Sequence, residues 1–333
     1  MLSVFQKKPQ ILVEAQKARF MPSFGIQILI FIALFIITNI AQSIPIVMIT
    51  FFQTFTAVMN QEISPYDTQG VMEFTMNLQN GSILPSLFVT GIATVLYIVY
   101  CRFIEKRSLY SMGFNRKNAL GQYFSGLLVG FVMFGACVVI SWASGSLQFG
   151  GFTLGSGFGL LLCFFIGFVI QGMSEEVILR GYFMMSVAGK NSILLAVISN
   201  SVIFAILHLL NPGVTVLSVA NLILFGLFAS VYTLKMNNIW GICAIHSIWN
   251  FAQGNLFGIK VSGMDAGVSV LSFVPAGAST LINGGDFGLE GGLAVTIVLV
   301  LSTLIVLKLP GKEIAQPAEA NEEIQSPPLS SAM

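Results

Sequence analysis

Only two histidines occur in the chain, His208 and His246, and each stands four residues from a residue able to seat it or share its work, in Phe204-x-x-x-His208 and His246-x-x-x-Asn250. A third cluster, Ser174-Glu175-Glu176-Val177-Ile178-Leu179-Arg180-Gly181, supplies two adjacent acids and an arginine. Residues four apart share a helix face, whereas neighbours diverge by ~100°. Glu176 therefore faces Arg180, and that pair can neutralise itself. Glu175 falls on the adjacent face, with Gln171 four residues before it, and is the better base. A carboxylate in a poorly solvated site can accept a proton from water and later return it. Two imidazoles and an amide gathered beside it can position that water, stabilise the oxyanion of a tetrahedral intermediate, or bind a divalent metal. The residues leave these three open. Glu175, His208 and His246 would match a two-histidine, one-glutamate zinc shell, but no HExxH is present to set ligand spacing on one helix.

The elements that must hold these residues are membrane helices. Of 333 residues, 55% are hydrophobic and 9% charged, against roughly 25% charged in an ordinary soluble domain. Net charge is +1 and no stretch concentrates enough Lys and Arg to track a phosphate backbone, which argues against nucleic acid as a partner. Ionisable groups cost ~2.5–3.5 kcal/mol each at membrane depth, so each one there is a functional candidate. A hydrocarbon core of ~30 Å takes about 20 apolar residues per helical span. Eight spans are predicted, over residues 24–59, 83–101, 120–143, 156–187, 193–210, 214–234, 239–258 and 291–309. The expected fold class is thus all-α, a polytopic membrane helix bundle of about eight transmembrane helices. Pro45 predicts a kink or break in the long first region. A sheet is not expected, because the runs are apolar on all sides rather than alternating.

Arg102, Lys106, Arg107, Arg116 and Lys117 crowd one link, whereas the link from Asn60 to Ser82 carries acids and no base. Basic short loops stay cytoplasmic, so the two face opposite sides and both termini lie in the cytoplasm. Residues 1–22 read as a basic segment, either amphipathic on the inner leaflet or simply disordered. Residues 23–118 form the N-terminal helices with the basic loop, 119–310 the core that carries the motifs, and 311–333 a disordered tail rich in Pro, Ala, Ser and Glu. Counting ~1.5 Å per residue from the inner ends puts Glu175 at ~18 Å, His208 at ~22 Å and His246 at ~10 Å. They can share a site only if the fourth span extends below the membrane, so convergence is a prediction.

The ordered set Glu175-Glu176-x-x-x-Arg180, Phe204-x-x-x-His208 and His246-x-x-x-Asn250 resembles the CAAX protease and bacteriocin-processing (CPBP, or Abi) family of intramembrane endopeptidases. The resemblance implies an eight-helix fold whose site opens towards the cytoplasm. It implies hydrolysis of peptide bonds in membrane-associated proteins or peptides, near the C-terminus of prenylated proteins or in other substrates. Carried over by position, Glu175 resembles the water-activating base and His208 a partner for that water. His246 and Asn250 resemble the oxyanion stabilisers, and Glu176 joins the set as the partner of Arg180, with Phe204 beside His208. Both a metalloprotease, with zinc on Glu175, His208 and His246, and a metal-free glutamate mechanism are compatible with it. The link 259–290 is long and Gly-rich and has no counterpart in the motifs.

Competing readings exist for single residues and for the whole. Cys243, three residues before His246, would make a Cys-His pair, although buried cysteine is more often packing. Asn200, Ser201 and Asn221 read as interhelical hydrogen bonders or cleft-lining groups. Gly126-x-x-x-Gly130 and Gly155-x-x-x-Gly159 permit close helix contact. A transporter would also bury Glu, Arg and His, but spread along a path and with repeat symmetry, which the chain lacks. A catalytically silent immunity or regulatory protein of the same fold shares every motif.

Overall fold

The computed structural model describes residues 8–80, 83–155, 157–276 and 280–310. Helix α1 (Gln10–Ala15) precedes α2 (Phe24–Met59), α3 (Thr68–Asn80), α4 (Leu84–Phe103) and α5 (Ala119–Ala143). Strand β1 (Leu147–Phe152) leads into α6 (Phe158–Glu176), which continues as a π-helical stretch, Val177–Met184, and then as α7 (Met185–Lys190). The chain proceeds through α8 (Ile193–Ile206), α9 (Val216–Met236), α10 (Trp240–Phe251) with a second π-helical turn at Ala252–Leu256, β2 (Leu271–Pro275), α11 (Thr280–Asn283) and α12 (Leu293–Lys308). The protein is a polytopic all-α membrane bundle.

Among the described residues, five helical segments are long and apolar enough to cross a bilayer: α2, α4, α5, the continuous run Phe158–Lys190 and α9. Helices α8 and α12 are apolar but shorter, and 14 residues rise only ~21 Å. Helix α8 ends at Ile206 rather than 210, because the chain tightens into successive turns, with the amides of His208 and Leu209 bonded three residues back, before Asn211-Pro212-Gly213. Helix α2 runs 36 residues and is not broken at Pro45. A lipid-facing proline forfeits one backbone bond without forcing the ends apart.

Three further departures concern the ends of the bundle. Helix α1 buries Ile11, Leu12 and Ala15 against the turn at Leu109–Met112 and α7, with the Ile11 amide donating to Asn237 Oδ1 at 2.9 Å. Its apolar face meets protein, not an inner leaflet. Arg107, one of the bases of its link, is buried and ion-paired to Glu105 at 2.6 Å. The third is a short antiparallel ribbon, β1 with β2, in register Leu147↔Pro275 with a bulge between Phe149 and Gly151. It joins the links after α5 and α10, outside the spans. The tail 311–333 and Lys7 lie outside the described residues.

Helix α10 is clamped between α5 and α6 by glycine faces. A Cβ at Gly126 would collide with the Gly241 carbonyl oxygen, and one at Gly130 would lie 2.7 Å from the Ile245 oxygen. On the other side, a Cβ at Gly172 would lie 2.7 Å from Ser247 Oγ and 2.8 Å from its amide nitrogen. The contact expected of Gly126 and Gly130 is therefore made, whereas Gly155 and Gly159 have nothing near. Glycine lets backbones approach closely where lipid gives no hydrophobic drive, and here it fixes α10 in register with α6.

Candidate active site

That register carries two residues of α10 onto two of α6. His246 Nδ1 donates to Glu176 Oε1 at 2.8 Å, and the same oxygen accepts from Arg180 Nη1 at 3.0 Å. Glu176 and Arg180 are both fully buried, and the Arg180 guanidinium lies over the Phe204 ring at 4.9 Å. One buried carboxylate thus serves an arginine and an imidazole, and this fixes the His246 ring. Because an ionised carboxylate can only accept, the proton of His246 is on Nδ1, and Nε2 is the nitrogen left for chemistry.

Glu175 looks the other way. Its side chain keeps 28% of its surface, and Oε2 lies 3.7 Å from His246 Nε2, beyond hydrogen-bond length. That oxygen is itself buried and has no hydrogen-bond partner. The other, Oε1, accepts from Gln171 Nε2, and Gln171 Oε1 in turn accepts from Asn250 Nδ2 at 3.0 Å. Asn250, Gln171 and Glu175 form a relay that leaves one carboxylate oxygen uncommitted. Gln171 was not among the expected site residues. The signal for it was an amide one helical turn before an acid in an otherwise apolar span.

His208 lies just past the end of α8 rather than on it, and Nδ1 donates to the Phe204 carbonyl at 2.8 Å. A carbonyl only accepts, so Nε2 is again the free nitrogen. Its ring centroid is 4.7 Å from that of Phe204, which is 6.1 Å from that of His246. Glu175, His208, His246 and Asn250, with Gln171, Phe204, Phe225 and Trp249, line one cavity of ≈ 290 Å³. The expected convergence is therefore met. The α6 run continues past the site to Lys190, where α7 packs against α1, and α1 is bonded in turn to Asn237 just before α10. Glu176, Arg180 and Cys243 are not in the lining. Cys243 is fully buried and serves packing.

The cavity also takes in Asn211, Ser262, Met264 and Glu290, and no residue of the basic link after α4. Its lining thus reaches the end of the bundle away from that link, whereas the resemblance implies an opening on the cytoplasmic side. Asn221 belongs to the lining and also ties α9 to α12, donating to the carbonyls of Glu290 and Gly292 and accepting from Thr296. Asn200 makes the interhelical bond expected of it, to Ser230 at 2.9 Å. Ser201 bonds its own helix at Val197.

Among the described residues no three His, Cys, Asp or Glu side chains gather as a set able to hold a metal ion. The donors of Glu175, His208 and His246 are of a suitable kind, but they are not assembled as a ligand shell. Among the described residues, the two π-helical stretches start close behind site residues, at Val177 directly after Glu175-Glu176 and at Ala252 two residues past Asn250. π-Helical turns recur at functional sites.

Residues 157–252 match the family model described as Rce1-like, type II CAAX prenyl endopeptidase Rce1-like. That stretch is under a third of the chain and holds every motif residue named above. No curated protein and no solved structure matches the chain.

Proposed function

We propose that the chain, whose residues 157–252 match the Rce1-like family model, hydrolyses peptide bonds within the membrane by a glutamate-activated water. The observation that carries this reading is the uncommitted Glu175 Oε2, on a cavity wall and facing His246 Nε2 at 3.7 Å. On this reading the reacting water binds between these two atoms. Glu175 takes a proton from it as the water oxygen bonds to the scissile carbonyl carbon. The proton then passes to the departing amine as the carbon–nitrogen bond breaks. Asn250, through its second Nδ2 hydrogen, and His246, from Nε2 when that nitrogen carries a proton, meet the oxyanion. His208 Nε2 is assigned to the water or the substrate backbone. Glu176 and Arg180 are positioning residues, acting through His246 and the α6 helix.

The substrate is a membrane-associated peptide or protein, and a prenylated C-terminus is the form that the family description suggests. Apolar walls from Leu87, Phe168, Leu222, Phe225 and Leu299 suit a lipid-like or apolar chain. The test is cleavage of membrane-tethered peptides, with and without a prenyl group, by purified protein in liposomes. We expect product from wild type and a loss of ~10²–10³-fold for His246→Ala and Asn250→Ala, as for the removal of other oxyanion donors. Full activity in both variants would remove their assigned roles, and no cleavage by folded wild type would favour a silent relative of the same fold.

A further inference from the structure

Glu290 lines the same cavity as Glu175 and His246, at the end where Asn211, Ser262 and Met264 lie. Three neutral donors hold its Oε2: the Ser262 amide at 2.8 Å, Ser262 Oγ at 2.7 Å and Gln253 Nε2 at 3.4 Å. Its backbone carbonyl is tied to Asn221 at 2.8 Å, and Gln253 is itself fully buried. The carboxylate is thus fixed in place, with Oε1 making no hydrogen bond to another described residue. Among the described residues no Lys, Arg or His pairs with it. The nearest candidate in sequence, Lys260, pairs with Asp286 at 3.3 Å instead. No Lys or Arg lines the cavity, whose acidic lining residues are Glu175 and Glu290.

A rigid, uncompensated carboxylate in a largely apolar cavity has a cation as its complement, since opposite charges attract far more strongly where water is sparse. Resting on the peptidase reading above, we propose that Glu290 is a specificity residue that binds a Lys or Arg side chain of the substrate at a fixed separation from the scissile bond. The substrate class narrows to membrane-associated peptides bearing a basic residue on the side of the cut that reaches the outer links of the cavity. A carboxylate serving only to tie Ser262 would show no preference for charge in the substrate.

The test walks a single Lys along a cleavable membrane peptide and compares each member with its norleucine counterpart. With wild type, one position should raise kcat/KM about tenfold or more, the size of one charge-assisted hydrogen bond. Glu290→Gln should lose that preference, cutting the Lys peptide and its norleucine counterpart at equal rates. Glu290→Asp, which keeps the charge but withdraws it, should retain a weakened one. A flat series in wild type, or a preference that survives Glu290→Gln, overturns the assignment and leaves the peptidase reading intact. Loss of the preference in Glu290→Asp together with loss of norleucine cleavage in Glu290→Gln would make Glu290 a fold tie and also overturn it. Failure of wild type to cut any member removes the peptidase reading itself.

Discussion

Glu175 and Glu176 are adjacent in the chain and have opposite surroundings. Glu176 is fully buried between Arg180 and His246, whereas Glu175 borders the cavity with one oxygen unpartnered. Removing the Glu176 charge strands Arg180 in an apolar interior. Glu176→Gln is expected to destabilise the fold by ~3–5 kcal/mol, the cost of breaking a buried pair, read as a lowered unfolding temperature in detergent. Gln171 gives a different signature, because it acts on Glu175 rather than on the fold. Gln171→Leu should lower kcat by about tenfold with little change in KM, and Asn250→Leu added to it should cost much less than it does alone, as expected within one hydrogen-bonded network. Additive losses would show that the relay is not a unit. The pairing of Glu176 with Arg180 was legible from the four-residue spacing. The bond from His246 to Glu176 was not, since it crosses between helices that only tertiary packing brings together.

At the scale of elements, the site depends on how closely α10 approaches α6. Gly172 sits where any side chain would meet Ser247, one residue past His246. Gly172→Val should push the helices apart and abolish turnover. The loss should exceed what its fall in stability explains, whereas Gly159→Val, with nothing near it, should be silent. Equal activity of the two variants would contradict the clamp. Apolar runs and turn residues made most helices legible, because lipid demands length and internal hydrogen bonding. What stayed hidden depends on neighbours. The α1 face is covered by α7 and the turn at 109–112, α8 ends early in a tightened turn, and the ribbon pairs strands far apart in sequence.

At the scale of the whole molecule, the cavity that holds the site lies between α4, α6, α8, α9, α10 and α12, walled on a further side by Thr38, Asn39 and Gln42 of α2. The lining reaches Met264 and Glu290, while the basic link after α4 lies at the other end. In a cysteine-free background, Met264→Cys and Lys106→Cys should therefore react with a membrane-impermeant thiol reagent from opposite faces of sealed vesicles. Labelling from the same face would overturn this arrangement. Charge distribution sets the expected sidedness of the links, because basic loops resist translocation. The direction in which the cavity runs was not readable, since it depends on how the 259–290 link folds against Asn211, whose amide donates to the Ser262 carbonyl at 3.1 Å.

The two neighbouring acids give the sharpest test of the account as a whole. Turnover of a membrane peptide and unfolding temperature should be measured together for Glu175→Gln and Glu176→Gln. Glu175→Gln should keep the wild-type unfolding temperature and lose ~10²–10⁴-fold in turnover, the range for a general base. Glu176→Gln should unfold at a distinctly lower temperature. A Glu175→Gln protein that still cleaves at the wild-type rate would contradict the assignment of the reacting water to that residue.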